Sequence, residues 1–147
     1  MTKEVGIENI KKELINKISN NSEILEIFRR YEYSKDNGKY LMEYGDSFIK
    51  DNYIYDHYVG RADFISVEVD ENEHPLCKEI RKYYDVSIIV SLTDTSELDR
   101  VSVLLGDIAT ELYPDRYNYS NHSHIIEKQG VYGKFTQPER AIMFTIE

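Results

Sequence analysis

His122 and His124, in "NYSNHSHII", stand two residues apart. On a strand that spacing sets both rings on one face, where two imidazoles could share a metal ion. A third ligand is lacking nearby. His74 and Cys77 form a separate loop pair with the same shortage, and Cys77 is the only cysteine of the chain. One cysteine excludes an intrachain disulfide framework and a cysteine-based zinc cluster. The simpler expectation is therefore two solvated histidines at the entry to a strand.

Three carboxylates, Asp63, Glu68 and Asp70, lie on or beside a strand and resemble the metal-binding acids of restriction-endonuclease-like folds. That pattern needs a lysine two residues past the second acid, to polarise water or steady a phosphate. Asp70 occupies that place. No G-x-S-x-G elbow and no glycine-rich phosphate loop occurs among the seven glycines. The sequence predicts no catalytic residue, no bound metal and no cofactor.

The elements that carry these side chains follow from apolar spacing. Ile7, Ile10, Leu14 and Ile18 recur at three- and four-residue steps, as on one helical stripe. "SNNS" at 19–22 interrupts it. Ser22 is a candidate cap for a continuation that buries Ile24, Leu25, Ile27 and Phe28, giving a helix over about 6–31 that can break near Asn20. "DFISVEVDE" alternates, with Ile65, Val67 and Val69 on one face and Ser66, Glu68 and Asp70 on the other, as in a half-buried strand. "NEHPLCKEIR" reads as a loop. Tyr84, Val86, Ile88, Val90 and Leu92 then form one face of a long strand.

"TDTSELD" supplies a helix start, with Ser96 and Asp99 spaced as a capping box. Leu98, Val101, Leu104, Leu105, Ile108 and Leu112 make a stripe wide enough to cover a sheet, and Pro114 ends it. "YNYSNHS" reads as a loop into a strand from about His122 to Val131. "YGKFTQP" reads as a turn into a last strand over 141–146. The expected fold is a single α+β domain over 1–147, in the order α-β-β-α-β-β. Its mainly antiparallel sheet of about four strands packs on one main helix.

Residues 32–61 have no sustained period and hold six tyrosines, with a tight-turn signal at "DNG". A tyrosine-rich loop or hairpin of that length suits an interface. Tyr53, Tyr55 and Tyr58 alternate if "NYIYDHY" is extended, and with Tyr40 and Tyr44 they are the candidate contact residues.

The formal net charge is −9. Residues 63–115, with 13 acidic and four basic side chains, carry all of it. Phosphate backbones are bound by clustered Lys and Arg, so tight nucleic-acid binding is not expected. An acidic wall can still let DNA pass without adhering, and Glu68, Asp70 and Glu71 are its candidates. No apolar run reaches the ~20 residues of a membrane span. The charged N-terminus lacks an apolar signal core, which gives the cytosol as the expectation.

A long N-terminal helix, a variable loop, a strand, "YYDVSIIVSLTD", the helix "SELDRVSVLLGDIATEL" and two C-terminal strands follow in order. That series resembles the tail-terminator and tail-completion proteins of tailed phages and of phage-tail-like contractile bacteriocins. The likeness covers about 1–147 by architecture and is strongest over 83–113. It implies a non-enzymatic protein that forms a ring, usually a hexamer. The ring caps the tail tube, stops its growth and offers the head-proximal collar. Its partners would be its own copies, tube and sheath proteins, and DNA only as passing cargo. Assembly would take place in the bacterial cytoplasm, and the ring would then reside in the virion or particle. Two other classes remain open: an acidic interaction module such as an immunity or adaptor protein, and a metal-dependent nuclease.

Overall fold

The computed structural model describes residues 6–35, 54–58, 63–73, 81–130 and 133–147. The expected N-terminal helix is two helices. α1 spans Ile7–Ser19 and buries Ile10, Leu14 and Ile18. The Asn20 side-chain amide donates to the Asn16 carbonyl at 2.8 Å and closes it. α2 spans Ser22–Lys35 and buries Ile24, Ile27 and Phe28. Its cap is Asn21, not Ser22: the Asn21 side-chain oxygen accepts from the Ile24 amide at 3.0 Å, the usual reach of a capping residue.

Among the described residues five strands form one mixed sheet. β1 is Ile54–Tyr55, β2 Phe64–Glu73, β3 Lys82–Ser91, β4 Tyr117–Gly130 and β5 Gly133–Ile146, in the order β1-β2-β3-β5-β4. β1 runs parallel to β2 and the other neighbours are antiparallel. The expected core face holds in β2 and β3: Ile65, Val67, Val86, Ile88 and Val90 are buried in one cluster with α1, α2 and the third helix, but β2 is not half-buried at its start, where Phe64 and Ser66 are buried on the other face. The two-residue β1 is the strand that apolar spacing does not indicate.

That third helix, α3, spans Thr95–Leu112. Asp94, not Ser96, caps it, its carboxylate accepting from the Ser96 and Glu97 amides at 2.9 and 3.1 Å. A carboxylate at a helix N-terminus also meets the positive end of the dipole. The buried stripe is Leu98, Val101, Ser102, Leu105, Ile108 and Ala109, while Leu104 and Leu112 are half-buried at its margins. Small side chains at Ser102 and Ala109 let the helix lie close on the sheet.

The largest departure from expectation is the C-terminal hairpin. "YNYSNHS" and residues 133–138 are strand, not loop and turn, so β4 and β5 each run 14 residues. They pair from Tyr117–Thr145 to Gly130–Gly133. β3 pairs with β5 only over Glu139–Ile146, so residues 133–138 run on with β4 as their strand neighbour. Ladder hydrogen bonds hold that overhang where alternation is weak, because neither face there is a simple apolar one. A bulge at Tyr117–Ser120, with Asn118 at φ 55, opens β4.

Candidate functional site

The three helices lie on one face of the sheet. The opposite face bears Phe64, Ser66, Glu68 and Asp70 of β2, Ser91 of β3, Gln137 and Glu139 of β5, and His122, His124 and Lys128 of β4. Strand register fixes these assignments, since residues in one cross-strand row share a face: His124, Glu139, Ser91 and Phe64 form such a row.

At that row polar side chains are packed out of water. The Lys128 ammonium stands 2.9 Å from the Glu139 carboxylate, and their side chains are 2% and 4% exposed. Lys128 also donates to the Ser91 hydroxyl at 2.7 Å and lies 4.9 Å from the centroid of the Phe64 ring. The Gln137 amide donates to Ser91 at 3.0 Å and to Asp63 at 3.2 Å. With two donors on its oxygen, the Ser91 hydroxyl gives its own proton to the Pro138 carbonyl at 3.3 Å. Beside them the buried Ser66 hydroxyl has no hydrogen-bond partner among the described residues.

Residues 54–58 cross over this cluster. The chain bends at Asp56 and His57, and the Tyr58 amide donates to the Glu68 carboxylate at 2.8 Å. The Tyr58 ring meets Phe64 edge-on at 5.2 Å, and its hydroxyl donates to Glu139 at 3.2 Å. Burial first, then the Glu139 charge and hydrogen bond, push the Tyr58 hydroxyl up to about 12. The cluster therefore joins four strands at the point where the hairpin leaves the sheet. Its groups hold one another: an ammonium against a carboxylate, and a serine whose proton is committed to a carbonyl.

A second feature lies at the start of β4. A groove of about 680 Å³ runs between the end of α3 and the end of β5, floored by Tyr113, Arg116, Tyr117 and Ile146. Burial and the Glu13 carboxylate, 2.9 Å away, push the Tyr113 hydroxyl upward. The Arg116 guanidinium donates to the Tyr113 carbonyl at 3.4 Å and lies 5.3 Å from the Tyr119 ring centroid, while its Nε is buried without a partner among the described residues. The Tyr119 hydroxyl lies over Gly106, where an added Cβ would meet it at 2.9 Å. Glycine at 106 thus permits the close approach of β4 to α3.

The residues singled out from sequence are dispersed. His122 and His124 are exposed neighbours, with ring centroids 6.2 Å apart. Among the described residues no group of three or more His, Cys, Asp or Glu side chains is placed to hold a metal. Asp63 and Glu68 join the polar cluster, and Asp70 is exposed beyond it. Glu71 faces the other way from Glu68 and Asp70 and pairs with Lys82 at 3.0 Å, so the three candidate wall acids are not on one face. Tyr55 is half-buried in β1, and the bends at Asp56 and His57 break the extended spacing that would align it with Tyr58. Tyr40, Tyr44, Tyr53, His74, Cys77 and the "DNG" turn lie outside the described residues.

Sequence spacing does not indicate Ser91, Lys128, Gln137 and Glu139. They are up to 48 positions apart, and only the β3–β5–β4 register brings them together. Compared with known protein families, curated proteins and solved structures, the chain matches none. Among the described residues no helix is long and apolar enough to cross a membrane.

Proposed function

We propose that this chain is a structural, ring-forming protein that caps and terminates the tail tube of a phage or phage-like particle and presents its head-proximal end. The single observation that carries the proposal is the C-terminal hairpin. Its 14-residue strands overrun β3, and its base is clamped by the Lys128–Glu139 cluster. Such a rigid arm suits contact with a neighbour or with the tube. The helices cover one face and residues 54–58 cross the other, which leaves the edge of β4 for assembly, and edge strands are ready templates for pairing.

The element order adds support, since a strand, a capped helix and a C-terminal hairpin follow each other as in tail-completion proteins. The excess of acid over 63–115 suits a passage that DNA traverses without adhering. In this role the chain performs no reaction. Its partners are its own copies, in a ring taken as a hexamer by analogy, together with tube and sheath proteins.

The test is electron microscopy of tails made with and without the gene. Its loss should give tails of irregular, excessive length without a terminal ring, and the supplied protein should restore both. Tails of normal length that carry their terminal ring in its absence would refute the proposal.

A further inference from the structure

We infer that two copies of the free chain pair antiparallel through β4, about a two-fold axis at Ile125, so that their sheets become one. The contact goes beyond the ring proposed above: it belongs to the free chain, whose β4 edge it covers.

The edge and its register follow from the strand itself. Among the described residues no strand pairs with the outer side of β4, and residues 121–125 are exposed. The regular part of that edge is bounded at both ends. The bulge at Tyr117–Ser120 closes it on one side, and the Gly130–Gly133 pair closes it on the other. Ile125 is the midpoint of Ser120–Gly130. A two-fold axis there pairs the whole regular edge with itself, Ser120 against Gly130 and Ser123 against Glu127. Such an isologous contact closes at two copies and does not propagate.

Shape favours the same register. The body of the domain stands beside the first half of β4, where Asn121 donates to Ser102 of α3 at 2.9 Å and the Tyr119 hydroxyl lies over Gly106. From Ile125 onward the hairpin runs on past β3 as a two-stranded arm. An axis at Ile125 sets the body of each copy beside the bare arm of the other. An axis nearer Tyr117 would drive one α3 into the other. Opposed residues are all odd with odd or even with even, so both helix layers share one face of the joint sheet. Ile125, 77% exposed in a single copy, then packs on Ile125 of the other.

Charge permits the approach. The chain carries a formal charge of −9, which repels a second copy over much of its surface. Residues 116–126 hold Arg116, His122 and His124 and no acid. Glu127 is the one carboxylate of the paired stretch, and it falls opposite Ser123 of the other copy. There it meets Arg140, whose guanidinium donates to Ser123 and to Asp99. Lys128 falls opposite His122, but its ammonium turns inward to Glu139 and its side chain is 2% exposed, so no like charges face each other.

Sedimentation equilibrium of the full chain should give twice the chain mass. With Cys77→Ser, to remove the chain's own thiol, Ile125→Cys should oxidise to a covalent dimer and nothing larger, since residues at the axis come within disulfide reach. Ser120→Cys in the same background should not, because the two copies of position 120 lie at opposite ends of the contact. Ile125→Lys sets two cations against each other and should weaken dimerisation at least about tenfold, with circular dichroism to report that the variant is folded. A folded native chain that stays monomeric at every concentration would overturn the inference. So would equal crosslinking at positions 120 and 125, the mark of unspecific edge contact. Larger oligomers without a crosslink at 125 would overturn it in favour of head-to-tail pairing. Dimers joined at 125, together with normal tails made without the gene, would uphold this contact and refute the ring alone.

Discussion

Glu139→Ala tests whether the polar cluster holds the hairpin in place. The substitution strips a 2%-exposed ammonium of the carboxylate 2.9 Å away. Breaking a buried ion pair from one side costs about 3–5 kcal/mol. The Tyr58 hydroxyl also loses its acceptor, but Tyr58 is 38% exposed and water can replace that bond, so it adds little. For a domain of this length the loss lowers the melting temperature by roughly 6–20 °C. Urea titration followed by circular dichroism should show a lower midpoint at unchanged slope. Lys128→Met in the same chain is the control. With both charges gone, the desolvation cost of the ammonium goes too, and replacing a buried pair by apolar groups is often close to neutral. The double variant should therefore recover most of the loss. A loss below about 1 kcal/mol in Glu139→Ala, the scale of an exposed pair, would refute the clamp. So would a double variant as weak as the single one.

Leu105 is fully buried between α3 and the sheet, so Leu105→Asp should abolish the cooperative melt by burying an unpaired charge; a soluble, cooperatively melting variant would contradict the packing. Asp94→Ala removes the acceptor of two α3 amides and should cost about 1 kcal/mol in urea unfolding. Ser66→Ala deletes a buried hydroxyl that has no partner, and should be neutral or stabilising by up to about 1 kcal/mol, whereas a clear loss would mean the hydroxyl is bonded. Tyr58 ionises near 12 in the folded chain against an ordinary 10.0, so its contribution is complete below pH 10 and is lost as pH rises through about 12. Tyr58→Phe should flatten that alkaline loss in urea midpoints measured at stepped pH, and phenolate absorbance should register one fewer late tyrosine.

Legibility in the sequence follows burial. β2 and β3 are visible because one face of each is packed on helices, which forces a period of two from Ile65 to Val69 and from Tyr84 to Val90. α3 is visible from its stripe, although its cap reads two residues late because Ser96 and Asp94 both suit that role. The start of β4 resists reading for a physical reason. As an edge strand with residues 122–125 exposed on both faces, it holds no apolar alternation, and "YNYSNHS" carries the composition of a loop. The first half of β5 fails likewise, since Gln137 and Glu139 are buried as polar groups and Pro138 signals a turn. The polar cluster is not readable locally at all. Its partners meet only across the β3–β5–β4 register, and Gln137 and Glu139 lie in the first half of β5, which the sequence reads as a turn and its approach.

The composition of the two sheet edges bears on what prevents uncontrolled growth. An edge that pairs head to tail can propagate into an open filament as readily as into a ring, and bare edges invite aggregation. The carboxylates of β2 repel another β2 edge, while the histidines, Ser120, Asn121 and Ser123 of β4 offer polar partners without a strong field of their own. The hairpin clamp then fixes the angle at which that edge is presented, because Lys128 and Glu139 tie β4 and β5 to β3 through Ser91. In the proposed ring, a change in that angle would alter the rotation between copies, and with it the closure. Loosening the clamp with Glu139→Gln, which retains size and hydrogen bonding, should therefore broaden the distribution of ring sizes, or yield open chains, before it unfolds the domain. Mass measurement of assembled particles would show this, and a uniform ring of unchanged size from that variant would separate the clamp from assembly.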